Sequence, residues 1–172
     1  MPKRADLIKA VQALSRRRTT GVEAMDTLAE LNSGSDRTVA IIWGTTIDDR
    51  LRSLIEAQST HMTGDEHAGL FPERGALSDF ASKINVAYLM DLFGKTTKQD
   101  LQAIREIRNA FAHAQHDTSF CTKAIANLCA ALEAHRHWDH GSTKPDRQFK
   151  LTCMYYASEL WNRRHQRPTG LP

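Results

Sequence analysis

The chain has 172 residues, of which 41% are hydrophobic and 25% are charged, and its formal net charge is +3. A chain of this size and composition buries one sizeable core, so we expect a single domain over residues 1–172. The three cysteines, at positions 121, 129 and 153, include no Cys-x-x-Cys pair, which excludes a disulfide framework and indicates buried free thiols. No apolar run approaches the length of a membrane span and no signal-peptide core follows Met1, so we expect a cytoplasmic protein without membrane contact.

Hydrophobic spacing predicts helices along nearly the whole chain, beginning with two short helices before residue 33. A long third helix is expected over about 36–58, with Val39 and Trp43 on its inner face. The pattern then lapses over 59–76, where several glycines predict a long loop. Such a loop is uncommon unless it has a function or is disordered.

Capping signals delimit the next two helices. Ser78 is expected to cap a fourth helix that stops at Gly94. Thr97 and Asp100 form a capping-box-like start for the fifth helix. These two helices and the sixth are predicted to share one core, formed by Phe80, Ile84, Tyr88, Leu101, Ile104, Phe111, Ile125 and Leu128.

The last third of the chain is predicted to continue the helical pattern. Asp117 and Thr118 are expected to break the fifth helix and to cap the sixth. A polar linker is expected over 130–145, and Pro145 suits the first turn of a final helix over 146–165. Because no strand-like alternation occurs, we predict an all-α fold, a single-domain antiparallel helical bundle of about six to seven helices.

The fifth predicted helix brings a guanidinium, an amide and an imidazole within two turns, at Arg108, Asn109 and His113. These groups are able to hold or cut a phosphodiester without a metal. Asn109 and His113 share a face because they are four residues apart, and Arg105 and His116, close to the same line, are weaker candidates for binding RNA phosphate. Arg108 projects into the apolar arc and therefore needs a carboxylate, a second subunit or an anionic ligand. The same pattern also fits one structural ion pair and a solvated histidine.

Two other groups of histidines have spacings found in metal sites; they are His135, His137 and His140 around Asp139, and His113 and His116 beside Asp117. Three imidazoles in a polar turn without cysteine are more typical of a solvated surface. One carboxylate is too few for a hydrolytic metal centre. We therefore expect no metal site and no cofactor.

The C-terminal end combines basic and aromatic residues. A basic run covers residues 161–167, and such runs are usually solvated but sometimes contact nucleic acid. Tyr155, Tyr156 and Trp161 have rings suited to stacking on bases, although aromatics at helical spacing are more typical of a core.

Parts of the chain resemble the mannitol operon repressor family: residues 75–89, then Leu92-Phe93-Gly94, Asp100-Leu101 and residues 104–113. The match is strongest over 75–113 and looser over 35–129. The resemblance implies an all-α cytoplasmic protein with a regulatory role and no DNA-reading module. In agreement, no helix-turn-helix signature stands out in the sequence.

Arg108 and His113 are also similar to the Arg-x4-6-His motif of HEPN domains, helical proteins that include metal-independent ribonucleases and inactive relatives. The resemblance implies that His113 is the acid or base for the ribose 2′-OH, that Arg108 clamps the phosphorane charge and that Asn109 orients His113. Five residues place Arg108 and His113 about 140° apart on a helix. One motif therefore closes poorly on one phosphate, whereas two facing helices of a homodimer could supply the two groups. We expect such a homodimer, paired through the face that carries Asn109 and His113.

The sequence leaves two hypotheses open. In the first, the protein is HEPN-like and binds or cleaves RNA at a composite homodimer site, as a metal-independent endoribonuclease. In the second, it is a non-catalytic transcriptional regulator that acts through a protein partner, and Arg108, Asn109 and His113 only stabilise the bundle. An Arg108 that is salt-bridged inside the bundle favours the second hypothesis, and an Arg108 open in a cleft favours the first.

Overall fold

The computed structural model describes residues 34–59, 61–71, 75–114, 117–139 and 141–165, all within one compact unit that begins at Gly34. This part of the chain contains no strand, so the all-α prediction is confirmed for it. Its elements are α1 (Asp36–Gln58), α2 (Gly64–Leu70), α3 (Phe80–Leu89), α4 (Lys95–His113), α5 (Lys123–Ala130), a 3-10 helix (Ala134–His137) and α6 (Pro145–Arg164). The two helices predicted before residue 33 lie outside the described residues, and the antiparallel arrangement stays a prediction. None of the described helices is long and apolar enough to cross a membrane.

Helix α1 has the bounds that the sequence predicts. Ser35 caps it, because its side-chain oxygen accepts a hydrogen bond of 3.2 Å from the backbone N–H of Thr38. The buried face of α1 packs against α3, α4 and α6. This face consists of Val39, Ala40, Trp43, Gly44, Ile47, Leu51, Leu54 and Ile55.

The apolar face of α4 lies at the centre of the core. Its Leu101, Ile104, Ile107 and Phe111 are all buried, as the helical spacing predicts. The ring of Phe111 lies 5.0 Å from that of Phe120, which in turn lies 5.2 Å from Phe149 of α6. This aromatic chain joins α4 to α6 through the segment before α5.

The predicted shared core is correct for six of its eight residues, and Leu128 is half-buried. The prediction that Tyr88 belongs to this core is wrong, because 36% of its surface is exposed. It lies near the end of α3, where Lys98 Nζ sits 4.4 Å from the centre of its ring. The tyrosine therefore makes a surface cation–π contact instead of filling the core.

The long loop predicted over 59–76 is wrong, because α2 lies within it. A capping box starts this helix: the backbone N–H of Thr63 donates to Glu66 Oε2 at 2.7 Å, and the backbone N–H of Glu66 donates to Thr63 Oγ1 at 3.4 Å. Seven residues are too few to show a clear hydrophobic period.

Three predicted caps are also wrong. Asp79, not Ser78, caps α3, and its carboxylate accepts the N–H of Ser82 at 2.9 Å. Helix α4 begins at Lys95, which places Asp100 inside it. Helix α5 follows Thr122, not Asp117 and Thr118. Several residues that are able to cap a helix stand close together at each of these starts, so the sequence alone does not decide which one is used.

The C-terminal third contains the predicted final helix, which starts at Pro145, and also a 3-10 helix inside the expected polar linker. Two of the cysteines, Cys129 and Cys153, are buried free thiols as predicted. The same prediction is wrong for Cys121, which is exposed because it lies outside α5, in the turn that precedes it.

Candidate functional site

Arg108 lies at an open pocket of about 370 Å³ between α1, α3 and α4. The pocket is lined by Asp48, Ser78, Asp79, Phe80, Ala81, Arg105, Arg108 and Asn109. Three of the five residues that the sequence proposed for a site, Arg105, Arg108 and Asn109, therefore meet at one surface depression.

Gly44 of α1 positions the side chain of Arg108. A Cβ atom at Gly44 would stand 2.7 Å from Arg108 Cβ and 2.6 Å from its Cγ. The aliphatic stem of the arginine therefore rests directly on the α1 backbone. The sequence does contain a signal for this contact, since a glycine inside a helix costs about 1 kcal/mol relative to alanine and indicates a close approach.

Arg108 is half-buried, and its Nη1 donates a hydrogen bond of 3.0 Å to the side-chain oxygen of Asn109. Within the described residues it forms no salt bridge. A neutral amide orients the guanidinium without cancelling its charge. Arg108 is thus a cation held in place without a carboxylate of its own.

The two carboxylates of the pocket have other partners. Asp48 Oδ1 lies 2.6 Å from Nζ of Lys83, a side chain only 7% exposed. Burial raises the pKa of Asp48, while its hydrogen bond to Lys83 and the charges of Lys83 and Arg108 oppose that shift. Asp79 accepts the N–H and the hydroxyl of Ser82, bonds that lower its pKa.

Arg105 is the second cation of the pocket and is paired with the neighbouring Glu106 on the surface of α4. Such an exposed pair contributes little stability and exchanges readily for another anion. Arg105 therefore adds positive charge beside Arg108 at little cost to the fold.

His113 does not join this pocket. It is exposed at the last position of α4, whereas Arg108 lies one and a half turns earlier. Asn109 contacts Arg108, and no hydrogen bond joins it to His113 among the described residues. His116 lies outside the described residues. A single chain thus assembles the arginine and the amide of the motif but not its imidazole.

A buried polar cluster, which the sequence did not predict, lies at the other end of α4. Asp100 accepts backbone N–H groups from Glu133 and Ala134, and Oδ2 also accepts the hydroxyl of Tyr156 at 2.9 Å. Burial raises the pKa of Asp100 against these hydrogen bonds, and it also raises that of Tyr156. The cluster fastens the 3-10 helix to α4 and α6 and has a structural role.

The histidines of the polar turn are used separately. His135 is buried beside Asp100, and burial lowers its pKa. His137 stacks on Tyr155 with ring centres 5.0 Å apart, and His140 lies outside the described residues. No cluster of three metal-binding side chains occurs in the part of the chain that the structure describes.

Comparison with known protein families, with curated proteins and with solved structures finds no match to this chain. The resemblances to the mannitol operon repressor family and to HEPN domains therefore rest on the residues that carry them. The functional argument depends on the geometry of the Arg108 pocket.

Proposed function

We propose that this protein binds RNA and that Arg108 holds a backbone phosphate in the pocket between α1, α3 and α4. The observation that supports the proposal is the state of Arg108: it is half-buried, oriented by Asn109 and without a salt bridge among the described residues. A guanidinium has five N–H donors in a plane, and a phosphate accepts two of them at once. The bond to Asn109 leaves donors free for such a contact.

The charges at the pocket are mixed. Asp48 is paired with Lys83, whereas Asp79 keeps its negative charge because its partner Ser82 is neutral. Arg108 forms no salt bridge among the described residues, so its guanidinium is the cation that an incoming phosphate would meet, with Asp79 at the edge of the same pocket. Arg105 would then exchange Glu106 for a second phosphate oxygen or the next phosphate along the chain.

Binding is tested with a fluorescein-labelled single-stranded RNA and a labelled stem-loop, by anisotropy over a series of salt concentrations. Arg108→Gln should weaken binding and lower the slope of log affinity against log salt by about 0.7. The matched control is Arg136→Gln, because Arg136 is exposed, ion-paired with Glu133 and not part of the pocket. Equal losses in both variants, or no binding by wild type, would contradict the proposal.

Cleavage is the stronger form of the same proposal and requires a second copy of the chain. His113 is exposed at the end of α4, apart from Arg108, so the two-fold axis of a homodimer would have to supply the imidazole. The 2′-oxygen then attacks phosphorus and gives its proton to a base, while the 5′-oxygen leaves with a proton from an acid. The products are a 2′,3′-cyclic phosphate and a 5′-hydroxyl, with no metal involved.

The test measures this cyclic phosphate in the presence of a chelator. His113→Ala and Arg108→Ala should each be inactive. An equal mixture of the two should recover about a quarter of the wild-type activity, because half of its dimers carry one intact site of two. A wild type that sediments as a monomer at micromolar concentration and cleaves nothing would limit the function to binding.

The second candidate function is regulation through a protein partner, as the resemblance to the mannitol operon repressor family implies. It is favoured by the two carboxylates, Asp48 and Asp79, that share the pocket with the arginines. Such a mixed surface also suits a peptide that carries both charges. Absence of binding to both RNA probes, together with a folded wild type, would support this alternative.

A further inference from the structure

A second unpaired basic feature lies where α1 meets the end of α6, around Trp161. The guanidinium carbon of Arg50 is 4.4 Å from the centre of the tryptophan ring, and that of Arg164 is 5.2 Å from it. Trp161 is 41% exposed, and the ring of His165 stands against its edge with centres 5.0 Å apart. Two arginines from different helices thus share one exposed aromatic ring.

Neither arginine forms a salt bridge with a carboxylate among the described residues, and the nearby Glu159 is used by Arg163 at 2.8 Å. Burial lowers the pKa of Arg50, the positive charge of Arg164 lowers it further, and the neighbouring carboxylate of Asp49 opposes both effects. The two guanidinium charges therefore repel one another, and an anion placed between them would relieve that repulsion.

Stacking on an indole prepares an arginine to bind phosphate. A guanidinium that lies flat on an aromatic ring keeps the N–H donors in its plane available. Such stacking also restricts a side chain that is otherwise flexible, which lowers the entropy lost on binding. Arg163, in contrast, already donates hydrogen bonds to Glu159 and to the backbone oxygen of Leu92, so we do not include it in a phosphate contact.

We propose that Arg50, Trp161 and Arg164 form a second contact for the RNA backbone, separate from the Arg108 pocket. This inference rests on the proposed RNA-binding function. Asp48, which lines the pocket, and Arg50 are two residues apart on α1. A rotation of about 200° around the helix axis separates them, so they lie on nearly opposite faces of α1. A bound strand that touches both sites would have to pass around α1, so the second contact extends the binding site.

The test uses the full chain and a fluorescein-labelled single-stranded RNA of twenty nucleotides. The double variant Arg50→Gln/Arg164→Gln should lower the salt slope by about 1.4, which corresponds to two phosphate contacts. The matched control is Arg136→Gln/Arg147→Gln, which removes the same charge from two exposed, ion-paired arginines. It should leave the slope near that of wild type. Circular dichroism confirms that each variant is folded.

Trp161→Leu supplies a second readout, because it keeps both charges but removes the ring that orients them. We expect weaker binding with a nearly unchanged salt slope. If Trp161→Leu and the Arg50→Gln/Arg164→Gln variant both bind like wild type while Arg108→Gln is weakened, the second contact is wrong and the pocket stands.

The reverse result, in which Arg108→Gln binds normally and the Arg50→Gln/Arg164→Gln variant does not, would keep the second contact and overturn the pocket. Absence of RNA binding by wild type would overturn both. A poly-glutamate chain of similar length provides the last arm. If it binds as tightly as RNA and is equally sensitive to the double variant, the surface recognises acidic protein, and the RNA assignment fails.

Discussion

Helix α4 carries two charged side chains in opposite situations. Asp100 is 3% exposed and is surrounded by donors: two backbone N–H groups and the hydroxyl of Tyr156. Arg108, two turns further along, is half-buried at an open pocket and has one hydrogen bond, to the neutral Asn109. The two sites are about 12 Å apart along the helix axis.

The difference separates a structural charge from a candidate binding charge. A buried carboxylate that accepts hydrogen bonds from three donors is satisfied by the protein and does not need a ligand. A guanidinium that the fold orients but does not neutralise keeps most of its donors for an anion. Burial alone does not distinguish the two cases. The identity of the partners does.

The largest expected effect is on Asp100. Asp100→Ala leaves the buried N–H of Ala134, the part-buried N–H of Glu133 and the buried hydroxyl of Tyr156 without this acceptor, and we expect it to lower the free energy of unfolding by about 2–4 kcal/mol. Urea denaturation followed by circular dichroism measures this loss. The control is Gln102→Ala, an exposed position of the same helix, which should change stability by less than about 0.5 kcal/mol. Similar values for the two variants would end the structural assignment of Asp100.

Gly44→Ala tests how the fold positions Arg108. The added methyl group would meet the stem of Arg108, and overpacking of this kind costs about 1–3 kcal/mol. We also expect weaker RNA binding, because the guanidinium shifts with its stem. Gly69→Ala is the control: nothing lies within 4 Å of its added Cβ, so the helix should gain up to about 1 kcal/mol. If the Gly44→Ala protein is as stable as wild type, the α1 backbone at Gly44 does not fix the position of the Arg108 stem.

A smaller effect concerns pH and the buried His135 beside Asp100. Burial is the main cause that lowers its pKa, the charge of Arg136 adds to it, and the carboxylates of Asp100, Glu133 and Asp139 oppose it. The unfolded chain therefore binds the proton more readily than the folded one. Its contribution to stability is complete above the unfolded pKa near 6.5 and is lost as the pH falls towards the folded pKa.

The measurement is the urea midpoint of wild type and His135→Gln at about pH 7.5 and about pH 5. The variant should show a smaller decrease on acidification than wild type, whatever its stability at neutral pH. An identical decrease in both proteins would mean that His135 does not contribute to the pH dependence.

The smallest effect on stability is expected at Arg108. Arg108→Gln removes a guanidinium that forms no salt bridge among the described residues and only assists the ionisation of Asp48, which keeps Lys83 as its partner. The free energy of unfolding should therefore change by less than about 0.5 kcal/mol while RNA binding weakens. Together with Asp100→Ala, this variant tests the comparison directly. If Arg108→Gln instead destabilises the protein as much as Asp100→Ala, the arginine is a structural residue and the regulator hypothesis becomes the better one.

Much of the fold follows from the sequence. The bounds of α1, the start of α6 at Pro145 and the buried face of α4 all agree with the structure. These features depend on local rules, namely the 3.6-residue period and the preference of proline for a first turn. The proximity of Arg108 and Asn109 is equally local, since they are neighbours in the chain.

Only the tertiary structure decided the rest, because it depends on residues far apart in the chain. Asp100 was predicted as a cap for its own helix, yet its donors come from residues 33, 34 and 56 positions later. Gly44 faces Arg108 from another helix, and Lys83 of a third helix forms the salt bridge with Asp48. Hydrophobic spacing tells which face of a helix is buried, but not which neighbour covers it. Whether a charged group is satisfied depends on that neighbour, so the sequence proposed the residues of the site while packing determined which charge stayed free.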